Sequence, residues 1–206
     1  MAERLTRRPF TRCLATLALG LLAVAGRAGA APDGPMALTR SVLEQSNVIV
    51  KGPGDRKEKL VKLSELLRGF LDTEALARLA AAKHLEGRSE AEVQEFLRLF
   101  HEFFVRTYVQ RLLLFDAPNF AYGEEKVSGD TARVATEVIT PGDRFAVDYA
   151  MHRTAQGWRA TDINVEGVSL ARNFRSQFDS AVAREGFPGL LERLRAKVQG
   201  GAGDKS

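Results

Sequence analysis

Residues 89–115 constrain the fold most, because they are predicted to form one long helix that is apolar around most of its circumference. Ser89 and Glu92 stand three residues apart as a capping box, which marks the start of the helix. Its apolar residues cover a wider face than a single-sided amphipathic helix presents. They are Val93, Phe96, Leu97, Phe100, Phe103, Phe104, Tyr108 and Leu112. Other elements must therefore cover this helix on most of its sides.

The spacing of apolar residues changes from helical to alternating after this segment. Alternation predicts strands at residues 131–139, 144–153 and 158–165, with a weaker strand near residues 120–127. Tight-turn sequences separate the three strong strands, so we expect an antiparallel meander.

Helical spacing surrounds this strand-rich middle. It predicts helices at residues 55–70, from Asp72 through Leu79, at residues 169–183, and at residues 190–198 after a break at residues 186–189. The predicted fold class is therefore α+β, with a meander sheet packed against several helices.

The first 30 residues have the organisation of a signal peptide. Four arginines precede an apolar run at residues 13–25, and Ala28-Gly29-Ala30 supplies small residues for cleavage after Ala30. The run is shorter than the roughly 20 residues that span a bilayer. The adjacent arginines Arg7 and Arg8 also fit a twin-arginine signal, so the Sec and Tat export routes both stay open. We therefore predict a signal peptide at 1–30, one domain at 31–199 and a disordered, glycine-rich tail at 200–206.

Cleavage after Ala30 would change the charge of the chain. The first 30 residues carry five arginines and one glutamate, so Lys+Arg falls from 30 to 25, Asp+Glu falls from 26 to 25, and the net charge becomes zero. This balance gives no basic excess for a nucleic-acid surface, so we expect no nucleic-acid partner. The single cysteine, Cys13, would also be removed, which leaves an apolar core without a disulfide.

The residue types of catalytic and metal sites occur without the spacing that such sites need. Ser169 lacks the second glycine of a nucleophile elbow and is expected to cap the following helix. Asp162 is expected to pair with an arginine or to cap a turn. The histidines His84, His101 and His152 share no metal-ligand spacing. We therefore predict no catalytic residues, no metal, no cofactor and no enzymatic activity.

Several motifs together resemble the MlaC/toluene-tolerance family. The most specific are Trp-Arg-Ala-Thr-Asp-Ile-Asn-Val-Glu-Gly-Val-Ser-Leu at 158–170 and Asn-Phe-Arg-Ser-Gln-Phe at 173–178. Further similarity lies in Gln94-Glu95-Phe96, in Val147-Asp148-Tyr149 and in the turn at residues 186–190, so the resemblance spans about residues 42–197. Residues 80–84 depart from the family, which often has a leucine-glycine pair before an aromatic residue there.

The resemblance implies a periplasmic carrier that belongs to an envelope ABC transport system concerned with membrane lipid asymmetry. It implies that acyl chains of a phospholipid lie in an apolar cavity between sheet and helices. The implied partners are an inner-membrane ABC transporter complex and an outer-membrane lipoprotein complex, and the carrier itself is expected to be a monomer. A hopanoid-linked branch exists, so another apolar lipid remains an alternative cargo. An envelope adaptor without ligand and a secreted hydrolase are alternatives from other classes.

Apolar residues on the long helix, on the strands and on the later helix are the candidate lipid-binding residues. The same residue types build a cavity wall and a filled core, so both interpretations stay open for the aromatic ones. Arg172 and Arg175 are candidates for a lipid phosphate, with surface ion pairing as the alternative. The candidate lipid-binding residues are Phe96, Phe100, Phe103, Phe104, Tyr108, Phe145, Val147, Tyr149, Met151, Val165, Phe174 and Phe178.

Overall fold

Ten elements follow one another in the computed structural model, which describes residues 34–113 and 118–200. The predicted signal peptide, residues 31–33 and residues 201–206 of the predicted tail lie outside the described residues. The elements are α1 (Pro35–Lys51), α2 (Arg56–Phe70), α3 (Thr73–Leu85), α4 (Glu90–Leu112), β1 (Asn119–Ser128), β2 (Thr131–Ile139), β3 (Arg144–Thr154), β4 (Gly157–Val165), β5 (Val168–Ser169) and α5 (Leu170–Gly200).

The strands form one antiparallel sheet in the order β1-β2-β3-β4-β5, so every strand lies beside its neighbour in sequence. The predicted α+β class and meander are confirmed, and the weak strand near residues 120–127 is β1. Register places Val134 opposite Tyr149 and Tyr149 opposite Ile163. Because side chains alternate between the two faces of a strand, such rows of apolar residues give the sheet one face for the helices.

Local capping explains where three of the helices begin. Asp55 and Asp72 accept hydrogen bonds from backbone amides three residues ahead, both at 2.8 Å. At the start of α4, the Ser89 hydroxyl accepts from the amide of Glu92, and the Glu92 carboxylate accepts from the amide of Ser89. The predicted capping box is therefore present. Hydrogen bonding to Ser89 lowers the pKa of Glu92.

Helix α5 is kinked into two arms at Gly186. This residue has φ 69°, a left-handed value that glycine adopts without a Cβ clash, and Pro188 follows at the start of the second arm. The kink brings the second arm back against α4, where the ring centroids of Phe187 and Phe96 lie 6.0 Å apart. The break predicted at residues 186–189 is therefore a kink at Gly186 between two helical arms.

The centre of the helical layer is an aromatic cluster between α4 and α5. Phe100 packs edge-on against Phe174 at 5.1 Å between ring centroids and against Phe178 at 6.0 Å. We define the aromatic cluster as Phe96, Phe100, Phe103, Phe104, Tyr108, Phe174, Phe178 and Phe187.

Within the described ranges, no helix has the length and apolar character needed to cross a membrane.

Candidate functional site

An apolar cavity lies between α1, the C-terminal end of α4 and the sheet. Its main lobe has a volume of about 380 Å³ and its second lobe about 240 Å³. Leu43, Ser46, Leu112 and Tyr149 line both lobes, so the two lobes are adjacent. The main lobe alone falls within the range of about 300–1,000 Å³ that is typical of ligand pockets.

The sheet supplies one wall of the main lobe. Antiparallel register aligns Phe120 with Val138 and Val138 with Phe145, and it aligns Val147 with Val165 in the next inward row. Along β3, Phe145 and Val147 alternate with more exposed residues, and their cross-strand partners share the same face. The sheet residues lining the main lobe are Phe120, Val138, Phe145, Val147, Tyr149 and Val165.

Helix α1 supplies the opposite wall. Leu43, Ser46, Asn47 and Val50 recur at intervals of three and four residues, so they lie on one face of the helix and line the main lobe. The polar groups on this wall are engaged in hydrogen bonds. The Ser46 hydroxyl donates to the carbonyl of Leu43 at 2.7 Å, and the Asn47 side-chain amide donates to the carbonyl of Pro118 at 2.7 Å.

The second lobe is lined by the last turns of α4 and by residues around the junction of α2 and α3. Phe104, Tyr108 and Leu112 are four residues apart, and the rings of Phe104 and Tyr108 stack at 4.5 Å. Phe70 meets Tyr149 edge-on at 5.4 Å, which joins this lobe to the sheet. The lining residues are Val42, Leu43, Ser46, Leu67, Phe70, Leu71, Phe104, Tyr108, Arg111, Leu112, Tyr149 and Ile163.

The cavity walls carry almost no charge. Tyrosine phenols are neutral at physiological pH, and burial raises the pKa of Tyr149 further, to about 12, and also raises the pKa of Tyr108. The buried Thr136 hydroxyl beneath this wall donates to the carbonyl of Val147 at 2.9 Å. Arg111 is the one charged side chain among the described residues that line either lobe, and the residue is exposed. The interior of the cavity therefore favours an uncharged, apolar ligand group.

The structure separates the twelve candidate lipid-binding residues into three groups. Six line the cavity, namely Phe104, Tyr108, Phe145, Val147, Tyr149 and Val165. Three line a more open cleft of about 470 Å³ between α4 and the two arms of α5, namely Phe103, Phe174 and Phe178. Three are fully buried and line neither space, namely Phe96, Phe100 and Met151.

Sequence reasoning missed the whole of the α1 wall and part of the sheet wall. The spacing of Leu43, Ser46, Asn47 and Val50 was the available signal, but two of these four residues are polar. Phe120 and Val138 lie on strands that were predicted, and register with Phe145 would have placed them on the same wall.

The residues considered for catalysis have structural roles. The Ser169 hydroxyl accepts from the amide of Arg172 at 3.1 Å, so the predicted helix cap is confirmed. Asp162 accepts from the amides of Ile163 and Ala171, which fixes the turn between β4 and α5. Elsewhere, Asp179 on α5 accepts hydrogen bonds from Lys83 and His84 of α3, and these bonds lower the pKa of its carboxyl group, with the larger effect from Lys83.

The three histidines bind different parts of the fold together. The Nε2 atom of His84 lies 2.6 Å from a carboxylate oxygen of Asp179. The Nε2 atom of His152 lies 2.9 Å from a carboxylate oxygen of Asp72. His101 contacts the Thr73 hydroxyl at 2.7 Å, and burial lowers the pKa of His101. Across residues 34–113 and 118–200, no group of three or more His, Cys, Asp or Glu side chains is arranged to hold a metal ion.

The two arginines considered for a lipid phosphate both reach backbone carbonyls. Arg172 donates to the carbonyl of Gly167 at 3.3 Å, and Arg175 donates to the carbonyl of Leu79 at 2.5 Å. Neither lines a lobe of the cavity.

Comparison with known proteins gives a family match and a structural match. The sequence profile described as MlaC protein matches residues 40–196, which is most of the chain. A phospholipid-binding protein from Ralstonia solanacearum, solved in complex with a phospholipid, has a similar fold with a TM-score of 0.72 and 22% sequence identity. The match covers 82% of this chain and 98% of the Ralstonia chain. The chain therefore belongs to the MlaC family.

Proposed function

We propose that this protein is a periplasmic lipid carrier that holds the acyl chains of a phospholipid in the two-lobed cavity. The main support for the proposal is the pair of adjacent apolar lobes between α1, α4 and the sheet, which share four lining residues. Burial of each methylene group from water gains about 0.8 kcal/mol, so a chain lying along such walls is strongly held against water. A bilayer also removes these acyl chains from water, so the free energy of a chain in the cavity is close to its free energy in the membrane. This small difference allows loading and release.

The family match and the phospholipid held by the Ralstonia protein support a phospholipid as cargo. The basic, apolar and small-residue order of the first 30 residues supports export with cleavage after Ala30, by the Sec or the Tat route. We place the mature chain, residues 31–206, in the periplasm as a monomeric carrier domain ending near residue 199.

The carrier would exchange cargo with an outer-membrane lipoprotein complex and an inner-membrane ABC transporter complex. The zero net charge expected after cleavage supports docking to proteins, since attraction to anionic lipid gains only about 1 kcal/mol per basic residue near the surface. Transfer of labelled phospholipid from the loaded protein should be faster to inner-membrane vesicles than to protein-free liposomes of the same lipids. Equal rates to both acceptors would argue against docking.

Filling the main lobe should prevent loading. We predict that Val147→Trp reduces co-purified phospholipid several-fold, because Val147 is buried at the sheet wall and an indole ring would occupy space left for acyl chains. In a filled core the same overpacking costs about 1–3 kcal/mol of stability, whereas cavity space would accept the ring at smaller cost. The readout is extracted phospholipid per folded chain, together with the free energy of unfolding.

Val127→Trp is the matched control. Val127 is also a strand valine, but it is 51% exposed on β1 and lines neither lobe. The control should retain the phospholipid content of the parent protein. Full lipid content in a folded Val147→Trp variant would show that acyl chains do not occupy the main lobe, and lipid-free parent protein would favour an adaptor without ligand.

A further inference from the structure

The cavity walls determine where the polar end of a bound lipid lies. The lining side chains of the described residues are uncharged apart from Arg111. A charged headgroup placed inside would lose its hydration without gaining a partner, which costs far more than burying an apolar group. A lipid phosphate must therefore remain at a rim of the cavity while the chains lie within.

Arg111 lies at such a rim. It is in the last turn of α4, directly before Leu112, which lines both lobes. Its guanidinium carbon is 5.7 Å from the ring centroid of Tyr108, another wall residue, and the side chain is exposed. This placement holds the guanidinium beside a wall residue of the second lobe while the residue remains exposed to solvent.

The rim of the main lobe differs in chemistry. Val165, which is 39% exposed, lines that lobe, and the neighbouring Val168 is 59% exposed. Valine side chains offer no donor to a phosphate, whereas a guanidinium presents planar, paired donors that match phosphate oxygens. Of these two rims, the one at Arg111 has the charge that an anionic headgroup requires.

We propose that Arg111 is the headgroup subsite, binding the phosphate of the cargo so that the cavity selects phosphate-bearing lipids over neutral lipids with the same chains. This inference rests on the proposed function, since it names the class of lipid that the same cavity holds. A purely structural role is the competing explanation, because a basic residue in the last turn also stabilises a helix through its dipole.

Two lipids that differ only in the phosphate separate these explanations. Dioctanoyl phosphatidic acid and dioctanoylglycerol should each displace a fluorescent lipid from the delipidated protein. Hydrogen bonds to charged groups support about a tenfold preference of the parent for phosphatidic acid. Arg111→Gln should bring the two affinities together mainly by weakening phosphatidic acid binding, and Arg111→Lys should keep part of the preference.

Arg98→Gln is the matched control on the same helix. Arg98 is exposed, forms an ion pair with Glu102 four residues later, and lines neither lobe. This variant should retain the tenfold preference although it loses the same charge. A structural role for Arg111 would lower thermal stability in Arg111→Gln without changing the ratio of the two affinities.

Equal affinities of the parent for the two lipids would overturn the subsite and leave the cavity proposal standing. The full preference persisting in both Arg111 variants would overturn it as well. Failure of the parent to bind either lipid is a distinct outcome, because it would overturn the proposed function and the subsite together.

Discussion

Removal of the Phe100 ring should separate the aromatic cluster from the cavity. Phe100 has no exposed surface and lines neither lobe, and its ring centroid lies 5.1 Å from that of Phe174 and 5.9 Å from that of Phe104. Phe→Ala in a packed core costs about 3–5 kcal/mol in total, and the aromatic pairs of Phe100 place it in the upper part of this range. We therefore expect Phe100→Ala to lose about 4–5 kcal/mol of unfolding free energy.

Urea unfolding followed by Trp158 fluorescence would measure this loss, since Trp158 is the single tryptophan and packs partly against the core. For a chain of this size the expected loss lowers Tm by about 8–20 °C. The control is Leu79→Ala, which truncates a side chain that is 44% exposed on α3 and should cost about 1 kcal/mol or less. Folded Phe100→Ala protein should retain the phospholipid content of the parent.

A loss below about 1 kcal/mol would contradict this reasoning, because it would mean that the space around Phe100 is not tightly packed. If the variant then also held more lipid than the parent, the acyl chains would extend into the aromatic cluster, and Phe100 would belong to the binding site.

Two further predictions concern Tyr149 and Gly186. Burial raises the pKa of Tyr149 from 10 to about 12, so its contribution is fully present below pH 10 and is lost toward pH 12, about 3 kcal/mol in all. Urea unfolding of Tyr149→Phe across this range should lack that loss, and identical pH dependence in parent and variant would contradict it. Gly186→Ala should destabilise the protein by about 1–3 kcal/mol, because Gly186 has φ 69° and ψ 177°, a conformation that is adopted almost only by glycine. Gly69→Ala, inside α2, should instead stabilise the protein by up to about 1 kcal/mol. Destabilisation of both variants would count against the backbone explanation.

Much of the fold could be predicted because local patterns agreed with the final packing. Alternation along β2 to β4 gave strand bounds within a residue of those observed, since one face of the sheet is buried against helices. The caps at Asp55, Asp72 and Ser89 follow from side chains that satisfy free backbone amides, which is a local interaction.

Helix α1 was not predicted, and no capping residue marks its start. It starts after Gly34 without a side-chain cap, and its cavity-facing side includes Ser46 and Asn47. The missing cap removes the usual start signal of a helix, and the two polar residues interrupt the apolar residues on the cavity-facing side. The long helix was predicted to end at about Phe115, which lies outside the described residues. In the structure, α4 ends at Leu112.

The division between cavity wall and core depends on tertiary packing that residue type does not encode. Phe100 and Phe104 are both buried phenylalanines on α4. Phe100 lines no cavity and packs edge-on against Phe174 and Phe178 of α5, whereas Phe104 stacks on Tyr108 at the second lobe. Helical spacing assigns both residues to an apolar face, and only the arrangement of α1 and α5 distinguishes them.

Native mass spectrometry of the protein purified from the periplasmic fraction tests the central claim most directly. We predict one dominant species with the mass of residues 31–206 plus one phospholipid, which dissociates to the bare chain as collision energy rises. A bare chain under the gentlest conditions, from a preparation shown to be folded, would contradict lipid carriage. A chain that still contains residues 1–30 would contradict export with cleavage after Ala30.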